Sequence, residues 1–277
     1  MLKQRVITGL VLASLLLAAL FLLPAMAWSA LALGVVMVGA FEWGRLAKLS
    51  GGGEWVYLGL TLAAMAGVIG CGLVVAEQFF ILKLSIYSLA ALFWLVVAPP
   101  WLLLGWQVRR PLVLALVGWV VLIPTGLAMI DLRAVSPWLL LAVMALVWTA
   151  DIAAYFSGRK FGKRKLAPSI SPGKTWEGVA GAILGVSCYV ILVCWASGQV
   201  RGMVNFVMLV LISWVWVVLS VEGDLFESAI KRQAGVKDSG ALLPGHGGIL
   251  DRIDAMTSTL PLAALGMLLA MIGKGMG

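Results

Sequence analysis

The chain has 277 residues, of which 62% are hydrophobic and 12% charged, whereas soluble domains carry roughly 25% charged residues. This composition excludes a soluble globular protein, because its core could not hide so much apolar surface. In a bilayer every backbone N–H and C=O group needs an internal partner, which leaves helices or closed barrels. The apolar runs are long and continuous rather than alternating, so they indicate helices.

Apolar runs long enough to cross a bilayer, roughly 20 residues each, recur along the whole chain. The predicted spans are 6–23, 25–41, 55–75, 79–98, 111–130, 137–156, 178–196, 203–221 and 255–272. We therefore predict an all-α integral membrane protein with about nine transmembrane helices.

Two of these spans allow another interpretation. Lys3, Arg5 and the apolar run before Ala25-Met26-Ala27 resemble a signal peptide, but the run exceeds the usual ~7–15 residues, which favours an uncleaved span. The fourth apolar run continues to Trp106, which is too long for one span and too short for two. Trp101 and Trp106 could therefore mark an interfacial segment.

The net charge of +8 would suggest a nucleic-acid partner in a soluble protein, but here the basic residues follow the positive-inside rule. With nine spans and a cytoplasmic amino terminus, sixteen of the twenty lysines and arginines lie on the cytoplasmic side. The exceptions are Lys83, Arg133, Arg201 and Lys274. A wrong span count would scramble this segregation, so it supports the count and the orientation, and we expect no nucleic-acid partner.

Two predicted cytoplasmic loops, 157–177 and 222–254, are dense in Gly, Lys, Arg, Asp and Ser, whereas the other connections are short. We therefore predict an amino-terminal membrane region of about five spans, residues 1–135. A carboxy-terminal catalytic region, residues 136–277, contains both loops and an active site at the cytoplasmic face.

Carboxylates from three predicted spans meet at the cytoplasmic side. Asp151 lies inside the sixth span, Asp224 follows the eighth, and Asp251 and Asp254 share a helix face at the start of the ninth. An acidic residue inside a span costs on the order of 2.5–3.5 kcal/mol and is a functional candidate. Carboxylates grouped in this way can hold a hard cation such as Mg²⁺, which usually shares substrate phosphates.

Each carboxylate also has a simpler interpretation when it is taken alone. Asp254 could cap the last helix, where the helix dipole favours an anion. Asp151 could pair with a lysine of a neighbouring helix, and Glu227 could be solvated. These alternatives explain the carboxylates less well when they are taken together, because lysine, glycine and carboxylate residues recur side by side in the same segments.

Gly173-Lys174-Thr175 suggests a Walker A loop, but that motif needs Gly where this chain has Pro168, and no strand is predicted before it. A Gly-rich turn with Lys at a helix start can still bind phosphate through N–H groups and the helix dipole. The basic cluster 159–165 is equally well explained as a patch for anionic lipid. His246, the only histidine, lies between glycines and is expected to hydrogen-bond a phosphate or another side chain.

The stretch 228–254 resembles the signature of the phosphatidate cytidylyltransferases, also called CDP-diacylglycerol synthases. The matching residues are Ser228, Ile230, Lys231, Arg232, Lys237, Asp238, Gly240, Pro244, His246, Gly247, Gly248, Asp251, Arg252 and Asp254. Residues 151–165 and 171–178 also resemble the family, so the resemblance covers roughly the carboxy-terminal half. The earlier residues resemble it only as hydrophobic spans.

This resemblance implies that phosphatidate reacts with CTP to give CDP-diacylglycerol and pyrophosphate, with Mg²⁺, in a homodimer of the bacterial cytoplasmic (inner) membrane. It also implies that Asp224 and Asp251 bind the metal. A phosphomonoester, with a second pKa near ~6, is already a nucleophile at neutral pH. The reaction therefore needs positioning and charge neutralisation rather than a general base.

The expected site residues fall into two groups. Those expected to act on the reacting phosphates are Lys231, Arg232, Lys237, Asp238, His246, Arg252 and Asp254. Those expected to complete the substrate site are Asp151, Ser171, Lys174, Thr175, Gly247 and Gly248.

Three other functions remain open at this stage. An enzyme acting on another lipid, such as a polyprenol derivative, would use the same loops. An ion-coupled transporter would use Asp151 as its coupling carboxylate, although such sites usually lie near the midplane between repeats. A scaffold without activity is the third possibility, but it would not explain why the two polar segments are so rich in Gly, Lys and Asp.

Overall fold

A computed structural model describes residues 2–74, 76–198, 202–242, 247–273 and 275, with the side chains of 2–8, 10 and 71–78 excepted. Helices dominate these residues, and two short strands pair between the seventh and eighth helices. The helices are α1 (Leu2–Leu22), α2 (Ala25–Leu46), α3 (Gly53–Val74), α4 (Ala76–Leu92), α5 (Ala98–Leu104), α6 (Pro111–Val135), α7 (Pro137–Phe161), α8 (Trp176–Ser197), α9 (Met203–Ala234) and α10 (Leu250–Gly273). The strands are β1 (Lys165–Ala167) and β2 (Ser171–Thr175).

Among the described residues, eight helical segments are long and apolar enough to cross a membrane. They are Ala25–Leu46, Gly53–Gly70, Phe79–Leu104, Pro111–Val135, Pro137–Phe161, Trp176–Ser197, Met203–Ala234 and Leu250–Gly273. Val11–Leu22, within α1, is apolar but shorter. The prediction of an all-α, multi-pass membrane protein is confirmed, while the orientation of its termini stays a prediction.

The ambiguous apolar run after the fourth predicted span is one continuous helix. α4 passes through a π-helical turn, Phe93–Val97, into α5. Pro99 and Pro100 lack N–H groups and crowd the preceding turn, and the wider π turn accommodates them. Trp101 is only 5% exposed and packs edge-on against Phe226 of α9. Contact with α9, rather than a membrane-interface segment, therefore explains this tryptophan.

The prediction of two cytoplasmic loops is wrong in detail, since much of each segment is regular structure. α9 continues through the first part of 222–254 and ends at Ala234, where it is capped by Gly235, whose φ of 83° is left-handed. Its 32 residues span ~48 Å, which exceeds the ~30 Å hydrocarbon core. Hydropathy marks where the chain becomes polar, whereas the helix continues because its backbone hydrogen bonds do not depend on polarity.

The other polar segment contains an antiparallel hairpin. α7 extends to Phe161, β1 pairs with β2, and β2 leads directly into α8. The expectation that no strand precedes Gly173-Lys174-Thr175 is therefore wrong, because β2 itself carries these residues. Pro168 still stands where a Walker A loop needs Gly, so the argument against that loop holds.

Two exceptions to the positive-inside pattern have partners inside the protein. Lys83 of α4 forms an ion pair with Asp131 of α6 at 2.6 Å. Arg133 donates to the carbonyl oxygens of Leu20, at 2.8 Å, and Leu23, which satisfies the end of α1. These charges are neutralised or hydrogen-bonded internally, so they need not report orientation; Arg201 and Lys274 lie outside the described residues.

One cluster of buried apolar side chains joins the two regions predicted along the sequence. It runs from Leu20 of α1 to Leu268 of α10, and α10 packs against α2, α4, α6, α7 and α9. A smaller cluster joins α7, α8 and α9 through Ala150, Ala182 and Val217. The boundary at 135/136 stays a prediction, but elements from both sides of it share one core.

α7 and α8 pack closely because small residues face each other. A Cβ at Gly181 would overlap the Ser157 side chain, and a Cβ at Gly185 would lie 2.6 Å from the Cβ of Ala153. Small residues at this spacing allow membrane helices to approach. The close approach places the cytoplasmic ends of α7 and α8 side by side.

Replacing Gly181 by valine is expected to destabilise the protein by about 1–3 kcal/mol, because the added side chain would force α7 and α8 apart. The measurement is the thermal unfolding midpoint in detergent. Gly67→Val in α3 is the matched control, since a Cβ built there meets no atom of another described element within 4 Å. Equal midpoints for the two variants would contradict the close packing of α7 on α8.

Candidate active site

A cavity of about 410 Å³ lies between α7, α8, α9 and the hairpin. Its apolar walls come from small or aliphatic residues, Ala150, Ala154, Val179, Ala182 and Val221. Its polar walls include Asp151, Arg159, Ser171, Lys174, Thr175 and Asp224. Five of these six were predicted from the sequence, and Arg159 belonged only to the predicted basic cluster. The structure therefore brings four predicted substrate residues, Asp151, Ser171, Lys174 and Thr175, into one space with Asp224, a predicted metal ligand.

An ion pair crosses this cavity. The ammonium of Lys174, on β2, lies 2.5 Å from the Oδ2 of Asp224, on α9. Asp151, on α7, is exposed to the cavity and lies within electrostatic reach of both charges. The interpretation of Asp151 as the partner of a lysine on a neighbouring helix is wrong in its detail, because Lys174 is on a strand and pairs with Asp224.

The remainder of the Ser-Pro-Gly-Lys-Thr-Trp-Glu run builds the local structure. The hydroxyl of Thr175 caps α8 by accepting the N–H of Gly178 at 3.1 Å. Glu177 accepts the backbone N–H groups of Lys163, at 3.1 Å, and Arg164, at 3.2 Å. These contacts fix the turn after α7 against the start of α8, so that β2 can present Lys174 to the cavity.

A second group of charges surrounds Lys231, near the end of α9. This lysine is only 8% exposed, and its ammonium lies 2.5 Å from Asp251 and 3.3 Å from Glu227. Glu227 is 4% exposed, and neither of its oxygens has a hydrogen-bond partner among the described residues. The interpretation of Glu227 as solvated is therefore wrong, and its buried charge depends on Lys231 for compensation.

Asp254 links the two groups of charges. It lies one turn inside α10, which begins at Leu250, so the interpretation that it caps this helix is wrong. It is within electrostatic reach of Asp151, Asp224 and Lys231. Carboxylates from α7, α9 and α10 therefore interact electrostatically at this site, while their predicted arrangement around a metal ion stays a prediction.

The glycines beside Asp251 have a structural explanation. Its Oδ2 accepts the backbone N–H and the hydroxyl of Ser239, at 2.9 and 3.0 Å, and the N–H of Gly248 at 2.8 Å. Gly247 has a φ of 80°, and a Cβ there would lie 2.5 Å from that same oxygen. Gly247 and Gly248 therefore position Asp251, while their predicted contact with substrate stays a prediction.

The remaining predicted residues lie outside these two groups. Arg232, Lys237, Asp238 and Arg252 are exposed. Arg232 donates to the carbonyl oxygen of Ile170 at 3.3 Å. This hydrogen bond links α9 to the turn between β1 and β2. His246 lies outside the described residues, so its expected role stays a prediction.

Sequence reasoning missed the carboxylate of Glu42, on α2. It is 3% exposed and accepts hydrogen bonds from Ser239, Ile249 and Leu250. The available signal was an acidic residue directly after an apolar run, which is a functional candidate by the same rule that selected Asp151.

The aspartate carboxylates of the site have the oxygen ligands that a divalent metal ion such as Mg²⁺ prefers. Among the described residues, no three His, Cys, Asp or Glu side chains form a ready metal cage. Mg²⁺, however, is usually held by one or two carboxylates together with water and substrate phosphates. Asp224, Asp251 and Asp254 supply such oxygens, and Lys174 and Lys231 hold two of them in ion pairs.

Membrane-spanning helices and a cavity that combines lysine with carboxylates are the features of a membrane-embedded enzyme that handles phosphate groups. The chain belongs to the cytidylyltransferase family, whose model matches residues 3–270. It is 44% identical over 273 residues to the phosphatidate cytidylyltransferase of Pseudomonas aeruginosa, across 95% of this chain and 96% of that protein.

Two further relatives have the same name. The phosphatidate cytidylyltransferase of Haemophilus influenzae is 39% identical over 286 residues, across 94% of this chain and 96% of that protein. That of Thermotoga maritima is 41% identical over 125 residues, across 44% of this chain and 46% of that one. The first two matches cover the amino-terminal spans as well, which the sequence motifs alone did not.

Proposed function

We propose that this protein transfers the cytidylyl group of CTP to phosphatidate, giving CDP-diacylglycerol and pyrophosphate for phospholipid synthesis. The observation that carries this proposal is the cavity in which Lys174, Asp151 and Asp224 meet. Asp254 interacts electrostatically with these charges and with Lys231, which pairs with Asp251. The relatives matched over nearly their full length support the choice of substrates, because both are named phosphatidate cytidylyltransferase.

The chemistry requires little more than positioning and charge neutralisation. A phosphate oxygen of phosphatidate forms a bond to the α-phosphorus of CTP, and the bond to the pyrophosphate oxygen breaks. The attacking oxygen is already anionic near neutral pH, so no side chain has to remove a proton. Lys174, Lys231 and Arg159 offset the negative charge of the two substrates, which would otherwise repel each other.

Mg²⁺ would be held by Asp224 and Asp251, with Asp254 nearby. When bound, it would neutralise charge on the phosphates and favour departure of pyrophosphate. Lys174 and Lys231 pair with Asp224 and Asp251 here, so each lysine can move to a phosphate when a cation takes its place.

The apolar walls of the cavity suit a substrate that arrives from the bilayer. Small residues of α7, α8 and α9 line the space beside the carboxylates, and aromatic residues of α7, Tyr155 and Phe156, are exposed on the same helix. We infer that the glycerol and acyl portions lie along these apolar walls while the phosphate meets the lysines.

We further propose that the site faces the cytoplasm of a bacterial inner membrane and that the chain forms a homodimer. The segregation of lysine and arginine supports the cytoplasmic orientation, and the bacterial relatives support the organism class. Labelling of engineered cysteines in intact cells tests the orientation, and cross-linking in native membranes tests the dimer.

The test of function is transfer of radiolabel from CTP into the organic phase by protein purified in detergent, with phosphatidate and Mg²⁺. We expect transfer by the wild type, none with EDTA, and none by Asp251→Ala. A folded wild type that labels polyprenyl phosphate but not phosphatidate would overturn the substrate assignment. An active Asp251→Ala variant would leave the reaction in place and remove Asp251 from the metal site.

A further inference from the structure

A carboxylate from the amino-terminal region lies beneath the segment that holds Asp251. Glu42 of α2 accepts the hydroxyl of Ser239 and the N–H of Leu250, both at 2.9 Å, through Oε2. Its Oε1 accepts the N–H of Ile249 at 3.0 Å. At 3% exposure, this side chain is too buried to touch a substrate in the cavity.

The start of α10 compensates the charge of Glu42. Among the described residues, no lysine or arginine lies within ion-pair distance of this carboxylate. The N–H groups of Ile249, directly before α10, and of Leu250, its first residue, lie at the start of the helix, where the helix dipole is positive. Glu42 therefore fixes the start of the helix that carries Asp251 and Asp254.

Two glycines of the carboxy-terminal signature make room for Glu42. A Cβ at Gly240 would lie 2.5 Å from its Oε1, and a Cβ at Gly248 would overlap both the carboxylate and the hydroxyl of Ser239. These glycines are therefore explained by the close approach of a side chain that lies about two hundred positions earlier in the chain.

Ser239 lies between Glu42 and Asp251. Its hydroxyl is 2.9 Å from the Oε2 of Glu42 and 3.0 Å from the Oδ2 of Asp251, and its N–H donates to Asp251 as well. A hydroxyl has a single hydrogen, so it donates to one carboxylate at a time. The position of Ser239, and with it one side of Asp251, depends on Glu42.

We propose that Glu42 is a positioning residue that holds Asp251 in place for the metal–nucleotide complex, through Ser239 and the first turn of α10. This proposal rests on the proposed function, since it concerns the same site. It makes α2 part of the support of the active site, although the sequence places all of the recognisable motifs after residue 150.

The test combines three variants in detergent-purified, full-length protein. Glu42→Gln keeps the size but loses the charge and one acceptor, Ser239→Ala removes the bridging hydroxyl, and the double variant combines them. Mn²⁺ binding is measured by electron paramagnetic resonance with CTP present and lipid absent, and the Mg²⁺ dependence of transfer is measured separately. Glu54→Gln, at the start of α3, is the matched control.

We expect Glu42→Gln and Ser239→Ala each to weaken Mn²⁺ binding by roughly tenfold or more, as residues that orient metal ligands do. The Mg²⁺ concentration for half-maximal transfer should rise in parallel, while the KM for phosphatidate stays constant. The double variant should bind Mn²⁺ about as weakly as the more impaired single variant, because part of the effect of Glu42 runs through the Ser239 hydroxyl and the two losses do not add. Glu54→Gln should match the wild type.

Wild-type Mn²⁺ binding and Mg²⁺ dependence in a less stable Glu42→Gln variant would overturn the proposal and leave Glu42 a purely structural residue. If Glu42→Gln fails to fold, Ser239→Ala and Glu42→Asp decide by the same two readouts. A wild type that binds Mn²⁺ but transfers nothing to phosphatidate would overturn the proposed function alone, because the effect of the variants on Mn²⁺ binding would still be measurable.

Discussion

Replacing Lys231 by methionine is expected to cost both stability and activity. Methionine has a similar length but no charge, so Glu227 and Asp251 would lose the ammonium that lies 3.3 and 2.5 Å from them. Removing one partner of a buried ion pair destabilises a protein by about 3–5 kcal/mol, because the other charge stays buried without compensation. The thermal unfolding midpoint should therefore fall, and cytidylyl transfer should drop below detection.

A second substitution separates the two losses. Glu227→Gln removes one of the uncompensated charges, so the double variant Lys231→Met/Glu227→Gln should regain part of the lost stability. It should not regain transfer, because the cation for the substrate phosphates is still missing. Lys237→Met, at an exposed lysine of the same signature, should change stability by no more than about 0.5 kcal/mol. A fully active double variant would show that Lys231 serves only to compensate Glu227.

Replacing Asp224 by asparagine is expected to lower transfer at least about 100-fold, the scale of losing one electrostatic contribution to a transition state, with little change in stability. The amide keeps the shape but neither binds Mg²⁺ well nor pairs with Lys174, which now lies 2.5 Å from Asp224. Both side chains of this pair are partly exposed, and such pairs contribute only about 0–1 kcal/mol. Initial rates over a Mg²⁺ titration, with unfolding midpoints alongside, provide the measurement.

Lys174→Met is the matched control for this variant, because it breaks the same ion pair from the other side. If Asp224 holds the metal, Asp224→Asn raises the Mg²⁺ requirement and Lys174→Met raises the KM for CTP instead. If both variants shift the same parameter by the same factor, the pair acts only as a structural link between α9 and β2, and the metal assignment of Asp224 fails.

The sequence predicted the membrane fold and most of the site for a simple physical reason. Apolar runs of spanning length have few alternatives in a bilayer, because unpaired backbone groups cannot remain there. A charged residue inside such a run is costly, so Asp151 stood out without any structural information, and Asp224 stood out at the end of the eighth span on the same side. Asp254 was predicted to join them, and its charge interacts with both carboxylates in the structure.

Boundaries and local roles were predicted less well. Hydropathy placed the end of the eighth span at residue 221, whereas α9 continues to Ala234. The expectation that Thr175, Gly247 and Gly248 bind substrate stays a prediction, and within the protein Thr175 caps α8 while the two glycines position Asp251. A motif reports which residues are needed together, and it does not distinguish a residue that binds a ligand from one that supports its neighbour.

The amino-acid sequence by itself determined the helical membrane architecture and the chemical character of the site, because both follow from local composition and from residues close together along the chain. Only the tertiary structure decided which charges neutralise one another: Lys174 with Asp224, Lys231 with Asp251, and Glu42 with the start of α10. Those pairings join segments that are distant along the chain. The packing of α2, α9, α10 and the hairpin sets the distances between the paired groups.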